Sequence, residues 1–129
     1  MKKIIHTSKA PDPIGPYNQA IQFNEMLFTS GQIAIDPESG DLYTGGDIKE
    51  ETEIVMKNLQ AVLHAAGLDF ENVLKVTIFI SDMNNFSSIN EVYGSFFKDE
   101  TAPARETVEV ARLPRSVNVE ISLIAAKKE

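Results

Sequence analysis

Arg105 and Glu120 are the side chains best placed by type and setting to do chemistry. Arg105 lies in Ala102-Pro103-Ala104-Arg105-Glu106-Thr107-Val108-Glu109-Val110, and Glu120 lies in Val119-Glu120-Ile121. Both stretches read as short apolar strands, which rarely carry long charged side chains on a buried face. Burying such a charge is costly unless it is paired. Each residue therefore points to water or waits for a partner. The planar fork of arginine grips a carboxylate through two parallel hydrogen bonds. A glutamate beside that anion is a candidate base or water-holder.

Side chains alternate along a strand. Arg105, Thr107 and Glu109 are expected on one face of theirs, and Asn118, Glu120 and Ser122 on one face of the next. The link Arg112-Leu113-Pro114-Arg115-Ser116 lacks glycine and gives no tight hairpin signal. Arg112 and Arg115 read as surface residues able to pair acidic neighbours across an interface.

Other chemistries find little support. There is no cysteine, which excludes disulfides, thiolate metal sites and thiol nucleophiles. His6 and His64 are far apart and lack a nearby ligand pair, so no metal site is expected. Gly45-Gly46-Asp47 opens a helix and lacks the lysine of a phosphate cradle. With 19 acidic against 12 basic residues the net charge is −7, which repels nucleic acid and anionic membranes. No apolar run approaches a membrane span. Met1-Lys2-Lys3-Ile4-Ile5-His6 lacks the apolar run of a signal peptide, so the expectation is a cytoplasmic protein.

At 129 residues the chain is expected to form one domain over 1–129. Residues 16–23 and 26–30 read as strands around an Asn24-Glu25 turn. Residues 36–41 form a loop. Asp47 caps a helix with Glu50 in the capping-box position. Ile48, Val55, Leu59, Val62, Leu63 and Ala66 line one face of that helix, and Gly67 ends it. Residues 72–81 form a strand with Leu74, Val76, Ile78 and Ile80 on one face. A second helix spans roughly Asn84 to Lys98, with Phe86, Ile89, Tyr93, Phe96 and Phe97 inward; Ser87 and Ser88 lie on its surface. Strands follow near 104–110 and 117–126. The order β-β-β-α-β-α-β-β argues for an α+β fold with helices on one face of a mixed sheet. Strand 117–126 is apolar on both faces, so the uncovered face is expected to take a partner.

Pro13-Ile14-Gly15-Pro16-Tyr17-Asn18-Gln19-Ala20, Thr29-Ser30-Gly31-Gln32-Ile33 and the block from Pro103-Ala104-Arg105 to Glu120-Ile121 occur in one order in one short chain. Together they resemble the reactive intermediate deaminase A (RidA) family, also called YjgF or L-PSP, from about Ile5 to Ala126. Glu106 and Thr107 replace a common Ser-Cys pair, and Asn18 stands where serine is frequent; Arg105 and Glu120 are untouched. The resemblance implies a chorismate-mutase-like fold, a six-stranded mixed sheet with two helices on one face. It implies homotrimers with sites in the clefts between subunits. It also implies a further strand between those of Arg105 and Glu120. Two strand spacings are roughly 10 Å, room for a three- or four-carbon acid between fork and carboxylate.

The activity implied is hydrolysis of reactive enamines and 2-imino acids, such as 2-iminopropanoate and 2-iminobutanoate, to 2-keto acids and ammonia. The imine is already electrophilic, so neither metal nor cofactor is expected. The resemblance gives Arg105 the substrate carboxylate and Glu120 the attacking water. The backbone of Thr107 meets the imine nitrogen or nearby polar groups. Tyr17 covers the substrate, Ser30 and Gly31 shape the wall, and Asn90 contributes a hydrogen bond. The alternative is a ligand-sensing regulatory or chaperone-like trimer that binds small carboxylates. Such a binder needs Arg105 but not Glu120. Ribonuclease activity, attributed to relatives, is opposed by the −7 charge and the lack of a basic stripe.

Overall fold

The computed structural model of the chain describes residues 1–128. Its elements are β1 (Lys3–Ile5), β2 (Ala20–Phe23), β3 (Met26–Thr29), α1 (Ile48–Ala65), β4 (Val73–Ile80), α2 (Phe86–Gly94), β5 (Ala104–Glu109) and β6 (Val119–Ala126). The strands form one sheet in the order β1-β2-β3-β6-β4-β5. β4 and β5 run parallel through the α2 crossover; the other neighbours are antiparallel. This is the expected α+β architecture, and β4 is the strand expected between the Arg105 and Glu120 strands.

The alternation of β4 and β6 sets the core. Val76, Ile78 and Ile80 align with Leu123, Ile121 and Val119, and all six are buried on one face. Val55, Leu59, Val62 and Leu63 of α1 and Ile89 and Tyr93 of α2 pack on that face. Asp47 caps α1 by accepting from the Lys49 and Glu50 backbone amides. Gly67 stops it at φ +75°, a left-handed turn that glycine adopts without strain. The β2–β3 hairpin turns at Asn24-Glu25, with Asn24 left-handed at φ +54°.

Among the described residues no helix covers the opposite face. Ile4, Phe28 and Val108 are exposed there, beside half-buried Ile21, Ile124 and Phe79. Phe28 aligns with both Ile21 and Ile124, and Val108 with Phe79, so two apolar patches lie on this face, divided by Lys75, Thr77 and Ser122.

Several local expectations fail for identifiable reasons. Leu74 does not share the Val76 face: the pairing shifts between Val73 and Lys75, Val73 takes the buried position, and Leu74 is left half exposed. Asn118 precedes β6 rather than sharing Glu120's face. Its backbone N–H and its Nδ2 donate to the buried Glu51 carboxylate at 2.9 and 2.8 Å. Glu50 does not close a capping box. The Tyr43 hydroxyl takes its place, accepting from the Asp47 amide and donating to Glu50. α2 ends at Gly94, and Phe96 and Phe97 reach the core from the turn after it.

Candidate active site

Arg105 lies on β5, the edge strand, with its side chain exposed on the helix side. Its Nη1 donates to Asn90 Oδ1 of α2 at 2.6 Å. Its guanidinium carbon lies 5.0 Å from the centre of the Tyr93 ring and 5.6 Å from that of Phe86. The acids nearby are engaged elsewhere. Glu106 pairs with Lys75 at 3.4 Å, Glu91 pairs with Lys49 at 2.7 Å, and Glu109 accepts from the Met83 amide at 2.7 Å. Among the described residues no carboxylate pairs with Arg105. Thr107 follows on the same face, and its hydroxyl is buried without a hydrogen-bond partner. The fork therefore faces solvent as a cation lacking a counter-ion, the condition for receiving a carboxylate.

Glu120 sits on β6, half-buried, in the wall of a cavity of about 600 Å³ that Tyr17, Ser30, Gly31 and Arg115 also line. Burial pushes its carboxyl above the usual carboxylate range. No donor among the described residues reaches it. Two backbone hydrogen bonds between Gln32 and Ile121, at 2.9 and 3.2 Å, hold Gly31 across β6. A β-carbon on Gly31 would lie 2.7 Å from Glu120 Cδ, so glycine is what lets the carboxylate lie there. The Ser30 hydroxyl donates to the Asn18 carbonyl at 2.6 Å, joining the wall to the Tyr17 loop. Tyr17 is half exposed over the cavity, its hydroxyl accepting from the Ile14 amide at 3.4 Å.

The structure thus gathers the expected residues into two groups: Arg105, Asn90 and Thr107 under α2, and Tyr17, Ser30, Gly31 and Glu120 in the cavity. It does not join them within one chain. Arg105 aligns with Val76 of β4, whose side chain is in the core; Glu120 aligns with Phe79, whose side chain points the other way. Positions three apart on a strand face oppositely. The expected gap of one intervening strand is present, but fork and carboxylate occupy opposite faces of it. Asn90 contributes its hydrogen bond to Arg105 itself.

Two residues of the cavity were not among the site residues expected from the sequence. Arg115, read as surface, lines the cavity from a left-handed corner, with φ +56° at both Arg115 and Ser116. Neither residue is glycine, so no composition signal marked the corner. Buried Gln19 ties down the segment behind Tyr17. Its Nε2 donates to the carbonyls of Thr7 at 3.0 Å and Pro11 at 2.8 Å, and its Oε1 accepts from the Thr7 amide at 2.8 Å. Its place inside the Tyr17-Asn18-Gln19-Ala20 motif was the available signal. No three acidic or histidine side chains gather as a metal cluster among the described residues, and no helix there is long and apolar enough to cross a membrane.

Residues 7–127 match the Endoribonuclease L-PSP family. A RutC family protein of Synechocystis is 52% identical over 123 residues, 95% of each chain. The 2-iminobutanoate/2-iminopropanoate deaminase of Mus musculus is 46% identical over 127 residues, covering 98% of this chain and 93% of that one. The crystal structure of TdcF from Escherichia coli with bound serine superposes with a TM-score of 0.90 at 43% identity, covering 98% and 99% of the two chains.

Proposed function

Because this chain belongs to the Endoribonuclease L-PSP family, whose relatives include reactive intermediate deaminases, we propose that it hydrolyses small 2-imino acids to 2-keto acids and ammonia. The observation that carries this reading is Glu120: a partly desolvated carboxylate without a donor among the described residues, lying where a β-carbon on Gly31 would displace it. A binder of small carboxylates has no use for a second negative charge there. A hydrolase has, because the carboxylate accepts a proton from the attacking water.

The site is completed by a second copy. Arg105 of one protomer grips the substrate carboxylate, while Glu120, Tyr17, Ser30 and Gly31 of its neighbour enclose the reacting carbon. The opposite facing of the two groups and the apolar patches on the helix-free sheet face support this, and the assembly is a homotrimer. Water adds to C2 of the imine as Glu120 takes its proton. That proton passes to the nitrogen, giving a carbinolamine; its hydroxyl proton then moves through Glu120 to the amine, the C–N bond breaks, and ammonia leaves with the carbonyl of the keto acid remaining. The uncatalysed reaction starts from an electrophilic imine, so positioning and one base suffice. The relative that holds serine, a small amino carboxylate, supports the size of the ligand. RNA cleavage is disfavoured by the −7 charge.

The test is keto-acid and ammonia release from enzymatically generated 2-aminoacrylate, with and without the protein. Release faster than the spontaneous rate supports the assignment; an unchanged rate with tight keto-acid binding would make the protein a binder.

A further inference from the structure

Phe86, Asn90 and Tyr93 recur at helical spacing, so all three lie on the face of α2 turned toward β5. Each touches the same group. Asn90 accepts from the Arg105 guanidinium, and the rings of Phe86 and Tyr93 lie 5.6 and 5.0 Å from its central carbon, within cation–π reach. The Tyr93 ring is anchored behind. Tyr93 packs on Phe97 with centroids 4.8 Å apart, and Phe97 on Phe70 at 5.3 Å. An exposed arginine on an edge strand ordinarily samples many rotamers, and ordering it at binding costs affinity. Here one helix supplies two π faces and an acceptor, leaving the rest of the fork outward.

We propose that Phe86 and Tyr93 are positioning residues for Arg105: their rings bracket the guanidinium so that its fork is aimed before a carboxylate arrives, and they set substrate affinity rather than the rate of hydrolysis. This rests on Arg105 as the carboxylate clamp. The ring of Tyr93 does the positioning and its hydroxyl does not. That hydroxyl is buried without a partner, and its pKa is pushed up to about 12 by burial, with Arg105 opposing, so it stays neutral at physiological pH.

The experiment measures kcat and KM for 2-iminobutanoate, and inhibition by 2-ketobutyrate, in Tyr93→Leu, Phe86→Leu, Tyr93→Phe and Arg105→Ala. Losing one ring raises KM and the inhibition constant roughly 3- to 30-fold with kcat within about twofold, the pattern of an interaction equal in ground and transition states. Tyr93→Phe keeps both constants within about twofold of the parent, because the ring remains, and holds or raises the unfolding midpoint, because a buried unpartnered hydroxyl is gone. Phe86, half-buried at the start of α2, carries the test alone if Tyr93→Leu does not fold. Unchanged KM in the leucine variants, or a fall in kcat without a rise in KM, overturns the bracket. So does Tyr93→Phe behaving like Tyr93→Leu. Arg105→Ala separates the two levels: if it leaves inhibition by 2-ketobutyrate unchanged, the clamp fails and the bracket with it. If it weakens inhibition while both leucine variants do not, the bracket alone fails.

Discussion

Arg105 stands exposed at a sheet edge yet is held by three side chains of one helix, whereas Glu120 is half-buried yet meets no donor. The two regions prepare opposite charges by opposite means. On the helix side, aromatic faces and an amide stabilise a cation while leaving its fork open. In the cavity, removal of water destabilises an anion and makes it a stronger base. The difference fits the tasks proposed for them: holding a carboxylate needs a fixed and accessible charge, and taking a proton from water is helped by a partly desolvated one.

The largest expected effect is on the Glu120 side. Glu120→Gln keeps shape and an acceptor oxygen but removes the base, and kcat falls about 10²- to 10⁴-fold. Binding of 2-ketobutyrate, followed by calorimetry, is retained or tightened, because a negative charge has left the cavity. The acid limb of the parent rate profile is expected to follow the same carboxyl. Burial raises its pKa, so activity is lost as pH falls at values above those of an ordinary carboxylate, and that limb disappears in Glu120→Gln. A limb that persists in the variant would assign the titration to another group.

Arg105→Ala shows the converse. Loss of a charge-assisted clamp costs roughly 2–5 kcal/mol, about 30- to several-thousand-fold in kcat/KM, and here keto-acid binding goes with it. Arg105→Lys recovers little, since an ammonium lacks the planar fork. Equal losses of binding in Glu120→Gln and Arg105→Ala would erase the division of labour. A smaller effect comes from the wall: Gly31→Ala forces Glu120 aside, since the new β-carbon meets its Cδ at 2.7 Å. A misplacement of that order costs about 10- to 100-fold in kcat while leaving the Arg105 side unaltered. Full activity in Gly31→Ala would mean that Glu120 works from another rotamer.

The two regions were not equally readable in the sequence. α1 was: Asp47 caps it, Gly67 stops it, and its apolar spacing matches the buried face. The hairpin at Asn24-Glu25 and the order of the elements were legible from turn residues and period. Arg105 and Glu120 stood out as candidates through the motifs around them rather than through their strands, since β5 carries Arg105, Glu106 and Glu109 and is largely exposed. The facing of Arg105 and Glu120 was not legible. Alternation fixes relative faces within one strand; the relation across β4 depends on registers that no local pattern encodes. Leu74 illustrates the limit, since one extra residue at the start of β4 reverses an alternation that reads cleanly. The bracket around Arg105 was half legible: Phe86 and Tyr93 were expected inward, but that inward includes the guanidinium depends on where β5 docks. Arg115 in the cavity wall was hidden because its left-handed corner carries no glycine.

The central claim is that the two groups meet only between copies. Arg105→Ala and Glu120→Gln, each nearly inactive, are unfolded together at equal concentration, refolded as mixed oligomers, and assayed for imine hydrolysis. Random assembly places an intact Arg105 beside an intact Glu120 at about one cleft in four, so about a quarter of the parent activity returns. Activity no greater than that of the two variants refolded separately would place both groups in one chain's site and contradict the shared cleft.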